Sequence, residues 1–156
     1  MPAVEGVSLS SGRQVWALTR LSPQQDRTSP AQPSVTIMVV DDEERVRRLT
    51  ARLLREEGYQ VIEAQSGEQA LERLPDAGEV QVVLADIAMP GGMNGVELAE
   101  RVLAGAPWRR VVLMSGYDRL FPEWGSTGAP FPLLVKPFTP EQLIQQVFEV
   151  LNEELH

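Results

Sequence analysis

A chain of 156 residues, 43% of them hydrophobic, is long enough for one domain with a full core and too short for a second large one. Its net charge of −8 and isoelectric point near 4.7 argue against a broad electrostatic footprint for nucleic acid. The absence of cysteine excludes disulfides, thiolate metal sites and a cysteine nucleophile.

Residues 1–34 differ from the rest, being rich in Ser, Gln, Pro and Gly with one apolar cluster, Val15-Trp16-Ala17-Leu18. They read as a flexible tail, with Gln24 to Ser34 as a linker, ahead of a domain at 35–156. No apolar run approaches the length that spans a bilayer, and residues 1–30 lack the apolar core of a secretion signal, so a cytoplasmic protein without membrane contact is expected. The one histidine, His156, is the last residue and reads as a fraying end.

From Val35 onward strands and helices alternate. Val35 to Val40 is an apolar run that stops at Asp41 and Asp42. Glu43 to Glu57 follows with Val46, Leu49, Leu53 and Leu54 at helical spacing, closed by Gly58. Tyr59 to Ala64 is a second strand, and Ser66-Gly67-Glu68-Gln69 has the form of a capping box that opens a helix to about Leu74. After a turn at Pro75 to Glu79, Val80 to Ala85 is a third strand. It ends at Asp86 and breaks into Pro90, Gly91 and Gly92. Val96 to Leu103 is helical, and Arg110 to Met114 is a fourth strand. The next helix is weak, because Pro122, Gly125, Gly128, Pro130 and Pro132 leave room for a short one near Asp118 to Trp124. Leu133 to Val135 is a fifth strand. Thr139-Pro140-Glu141-Gln142 then opens a helix that carries Leu143, Ile144, Val147, Phe148 and Leu151 on one face.

Five strands alternating with helices predict an α/β fold, a doubly wound parallel sheet of order 2-1-3-4-5 with helices on both faces and a short or degraded fourth helix. That order makes the first and third strands neighbours and brings Asp41, Asp42 and Asp86 to one crevice at the carboxyl edge. Three carboxylates that close call for a cation, and hard oxygen donors without Cys or His suit magnesium. Ser115 and Lys136 leave the fourth and fifth strands at the same edge, a hydroxyl and a point charge matched to a phosphoryl oxygen. Together they suit phosphoryl transfer with Asp86 as nucleophile. Taken singly, each has a plainer reading: an Asp that ends a strand, a loop serine, a strand exit at Lys136-Pro137. The joint occurrence at successive strand ends carries the signal.

Val39-Val40-Asp41-Asp42-Glu43, Asp86-Ile87-Ala88-Met89-Pro90 with Gly95, Met114-Ser115-Gly116-Tyr117 and Lys136-Pro137-Phe138 resemble, in order and spacing, the receiver domain of two-component response regulators, over about Val35 to Leu151. The resemblance implies a flavodoxin-like fold and a switch phosphorylated on Asp86 by a histidine kinase or phosphotransfer protein, with slow self-dephosphorylation rather than turnover. It implies Mg2+ held by Asp42, Asp86 and the carbonyl of Ala88, with Asp41 acting through water. It further implies Lys136 on the phosphoryl group, Ser115 bonding it after the switch, and a cis Lys136–Pro137 peptide. Downstream the expected partner is another protein, with no direct nucleic-acid binding and a homodimer left open. Three departures stand out: Gly91-Gly92-Met93-Asn94 is one residue longer than the usual loop, Leu133 sits where many members carry a switching aromatic, and the fourth helix is degraded. Two rivals remain: a receiver-fold scaffold that works unphosphorylated, and an aspartate-nucleophile phosphohydrolase, which the adjacent Asp41-Asp42 disfavours because that chemistry wants Asp-x-Asp.

Overall fold

Five runs of β-branched and aliphatic residues form one parallel sheet in a computed structural model that describes residues 34–116 and 131–153. The strands are β1 (Thr36–Val40), β2 (Gln60–Ala64), β3 (Val82–Asp86), β4 (Arg110–Gly116) and β5 (Leu133–Lys136), in the order β2-β1-β3-β4-β5. Between and after them lie α1 (Glu44–Glu56), α2 (Gly67–Arg73), α3 (Gly95–Gly105) and α4 (Pro140–Leu151), with a 3-10 turn at Leu74–Asp76. The helix expected near Asp118 to Trp124 and residues 1–33 of the tail lie outside the described residues, as does His156.

The central strands β1 and β3 are buried along their whole length, as a parallel sheet covered on both faces requires. Alternate residues feed two cores. Met38, Val40, Val83, Ala85, Val111 and Leu113 pack with Ala70 of α2 and Leu98, Ala99 and Val102 of α3. Ile37, Val39, Val82, Leu84, Val112 and Met114 pack on the other face with Leu54 of α1 and Leu143, Val147 and Val150 of α4. The sheet is therefore doubly wound, and every strand points its carboxyl end toward the same edge.

Two residues assigned to buried helix faces lie outside. Leu49 is 54% exposed and Phe148 57% exposed. In α1 the buried positions are Thr50, Ala51 and Leu54, and in α4 Leu143, Val147 and Val150, so each buried stripe is displaced from the apolar pattern. The third strand enters the ladder at Val82 rather than Val80, and β4 runs on through Ser115 and Gly116. Thr139 and Gln142 form the full expected capping box on α4. At α2 the box is half made: Ser66 accepts from the Gln69 amide, but Gln69 Oε1 accepts from the amide of Gln65. A complete box that the sequence reading passed over caps α3, between Asn94 and Glu97.

Candidate functional site

The crevice forms because β1 and β3 are hydrogen-bonded neighbours whose last paired residues, Val40 and Ala85, deliver the next residue of each to the carboxyl edge. Carboxylate oxygens of Asp41, Asp42 and Asp86 lie within 4.8 Å of one another, with Asp41 and Asp86 buried and Asp42 exposed. β5 carries Lys136 to the same place by pairing with β4, with Gly116 opposite Lys136. The Lys136 Nζ lies 2.9 Å from Asp41 Oδ2 and 3.4 Å from Asp86 Oδ2. The Lys136–Pro137 peptide is cis, as the resemblance implied.

Asp41 is fully buried, and each of its carboxylate oxygens accepts a hydrogen bond. Its Oδ1 accepts the Glu43 amide at 2.9 Å, its Oδ2 accepts Lys136, and Arg47 Nη1 donates to its carbonyl at 3.0 Å. Asp86 is held otherwise. The ladder continues beside it through Ile87 N–H to the Met114 carbonyl, and Gly95 packs so close that a Cβ there would stand 2.5 Å from the Asp86 carbonyl oxygen. Glycine is the residue that allows α3 to start at that point. The Asp86 carboxylate itself accepts from Ala88 N–H at 3.3 Å and faces Lys136.

Burial pushes the Asp86 carboxyl up to about 6; Lys136 pulls against that, and the Asp41 charge adds to it. Burial pulls the Lys136 ammonium down, but its hydrogen bond to Asp41 and the charges of Asp41 and Asp86 outweigh that, and the net shift is upward. Among the described residues, Lys136 is the ammonium that answers the clustered carboxylates. Three clustered carboxylates with water access at Asp42 suit a hard divalent cation, since each oxygen can face the ion while water fills the remaining positions.

Ser115 is buried at the end of β4, one residue beyond the partner of Asp86, and among the described residues its hydroxyl donates to the Gly116 carbonyl at 3.2 Å. It is near the crevice in register but not hydrogen-bonded to Asp86. Leu133 is partly buried against the core and Tyr117 is outside the described residues. The sequence reading missed Arg47, whose grip on the Asp41 carbonyl is supported by Glu63 at 3.1 Å. Its signal was weak, since an arginine on a helix usually reads as solvated surface.

The sequence family described as response regulator receiver domain matches residues 37–148. The sensor kinase CckA of Brucella abortus is 37% identical over 123 residues, covering 78% of this chain and 13% of that protein. The transcriptional regulatory protein ResD of Bacillus subtilis is 30% identical over 116 residues, covering 74% of this chain and 48% of that one. The chain thus spans less than half the length of these curated relatives. Among solved structures, a response regulator receiver protein from Sinorhizobium medicae superposes with a TM-score of 0.67 at 32% identity, covering 76% of this chain and 95% of that one.

Proposed function

This chain belongs to the response regulator receiver domain family, and from that premise we propose that it is a signalling switch phosphorylated on Asp86 in a magnesium-dependent reaction. The observation that carries the reading is the unequal hold on two neighbouring carboxylates: both oxygens of Asp41 accept hydrogen bonds at 2.9 Å, while Asp86, whose carboxyl burial pushes up to about 6, meets Ala88 N–H and Lys136 at 3.3 and 3.4 Å. In this reading residues 35–156 form the switch and residues 1–34 a tail or linker.

The donor is a phosphohistidine of a kinase or phosphotransfer protein. An Asp86 carboxylate oxygen attacks phosphorus, a P–O bond forms as the P–N bond to the imidazole breaks, and the imidazole leaves neutral with the electron pair and a proton on its other nitrogen. Asp42, Asp86 and the Ala88 carbonyl would hold the cation, with Asp41 behind them. Bound Mg2+ supplies the charge that neutralises the phosphoryl oxygens and keeps Asp86 ionised. Lys136, tethered by Asp41, offers its remaining N–H donors to the incoming group. Ser115 would bond the phosphoryl group once its hydroxyl turns from the Gly116 carbonyl, shifting a pre-existing equilibrium of surfaces. An apolar cleft of about 380 Å³ lined by Val46, Leu49, Thr50, Pro137 and Phe138 opens beside Lys136, which supports approach of the donor protein from that side.

The test is incubation with a small acyl phosphate and MgCl2, read by intact mass. A labile phosphoryl adduct is expected on the unaltered chain and none on Asp86→Asn. Equal labelling of both would move the acceptor elsewhere, and labelling of neither would favour a scaffold that works unphosphorylated.

A further inference from the structure

The loop from Ile87 to Asn94 leaves Asp86 and returns to α3, and both its ends are fixed. Ile87 N–H donates to the Met114 carbonyl at 2.9 Å and Met89 is buried in the core. At the far end Gly95 N–H donates to the Ile87 carbonyl at 3.1 Å, and Asn94 is locked in its capping box. Between them, among the described residues, residues 90–93 have one hydrogen bond to the rest of the fold: Met93 N–H donates to Glu68 Oε2 at 3.1 Å. The start of α2 is shaped for that approach. A Cβ on Gly67 would stand 3.0 Å from Met93 Sδ, and one on Gly92 2.8 Å from Glu68 Oε2, while Gly91 takes a φ of +82°. The amides of Glu68 itself and of Met93 hold the Glu68 carboxyl below its ordinary range.

We propose that Glu68 is a positioning residue: by accepting the Met93 amide it ties the loop after Asp86 to α2, so that cation binding at Asp86 and Ala88 depends on a side chain hydrogen-bonded to neither. The proposal rests on the magnesium-dependent reading above. Two consecutive glycines make the middle of this loop costly to order. Where the latch is made, the ordered loop is already the populated state. Where it is cut, ion binding must select that state from a wider ensemble, and the apparent affinity falls by the fraction that is competent.

The experiment is calorimetric titration of the full chain, Glu68→Ala and Glu68→Gln with MgCl2 at neutral pH, with hydrogen exchange read at the Met93 amide. Both variants lose the same charge, but the Gln amide oxygen can still accept the Met93 N–H. Glu68→Ala is expected to weaken Mg2+ by about threefold to tenfold and to speed Met93 exchange, whereas Glu68→Gln stays within about twofold of the unaltered chain on both readings. The proposal is overturned if Glu68→Ala binds Mg2+ like the unaltered chain, whatever its unfolding temperature. It is equally overturned if both variants weaken alike, which would assign the effect to charge. If the unaltered chain binds no Mg2+, the magnesium-dependent reading itself fails and takes the latch with it.

Discussion

Asp41 and Asp86 stand one residue beyond paired positions of adjacent strands with both main chains held, yet the fold grips the carboxylate of Asp41 at 2.9 Å and that of Asp86 more loosely. Around Asp41 the carboxylate accepts Glu43 N–H and Lys136, while the main chain is tied by Arg47 at its carbonyl and by its own amide donating to the Ala64 carbonyl. Around Asp86 the strong restraints fall on the main chain, through the β3–β4 ladder and the close seat of Gly95, while the carboxylate keeps contacts of 3.3 and 3.4 Å. A charge held at 2.9 Å on both oxygens is fixed in place. A charge whose Cα is fixed but whose oxygens are loosely held can exchange a lysine for a cation or a phosphoryl group without disturbing the fold.

The sharpest break of this contrast is at Asp86, where Asp86→Asn is expected to abolish the phosphoryl adduct outright while leaving the fold intact by circular dichroism. Next in size is the lysine. Lys136→Met leaves Asp41 buried without its cation and is expected to cost about 3 kcal/mol in urea unfolding. The contrast becomes quantitative in double-mutant cycles: Lys136 should couple more strongly to Asp41 than to Asp86, by roughly 1 kcal/mol, because the first pair is closer and wholly buried on the acid side. Equal coupling would mean that the two acids are not held differently.

How much of this was legible in the sequence follows the same division. Five apolar runs alternating with helices gave away the strand order, and the acids and lysine at their ends gave away the convergence of Asp41, Asp42, Asp86 and Lys136, because in a parallel sheet every strand end meets one edge. The binding of Lys136 to Asp41 was not legible: the pair spans 95 positions, and three acids within reach look alike until distances separate them. Periodicity also overreached at Leu49 and Phe148, since a stripe of apolar residues shows that a helix has a buried face but not where its edge falls. Small Thr50 and Ala51, not Leu49, let α1 approach the sheet. Glu68 looked like one more solvated helix glutamate. Its signal was the glycines at 67 and 92, where an added Cβ would meet the Met93 and Glu68 side chains as the two segments approach.

The main-chain hold on Asp86 is tested at Gly95. A methyl group there would meet the Asp86 carbonyl oxygen at 2.5 Å and Ile87 Cα at 2.9 Å, both main-chain atoms that no rotamer change can clear. Gly95→Ala should therefore cost about 2 kcal/mol and lower Mg2+ affinity, because either α3 or the end of β3 must move. A variant that loses stability but keeps its affinity would show that the Asp86 main chain is not what fixes the site.

A further effect is set by pH, and its sign follows from which state holds the proton. In magnesium-free buffer the Asp86 carboxyl titrates near 6 in the folded chain against 3.8 when exposed, so between those values the native state binds more protons than the unfolded one. Stability from this group is complete below the lower value and is lost as pH rises through about 6. At full strength a shift of that size corresponds to roughly 3 kcal/mol, and water at the crevice mouth screens it to between about 1 and 2 kcal/mol. Urea unfolding between pH 4 and 7 with a chelator present should show that decline relative to Asp86→Asn, which has no proton to lose there. Saturating Mg2+ should remove it, because a bound cation favours the ionised carboxylate and so takes over the charge that burial left unanswered. A decline of the same size in Asp86→Asn would place the titrating group elsewhere and leave Asp86 as well satisfied as Asp41.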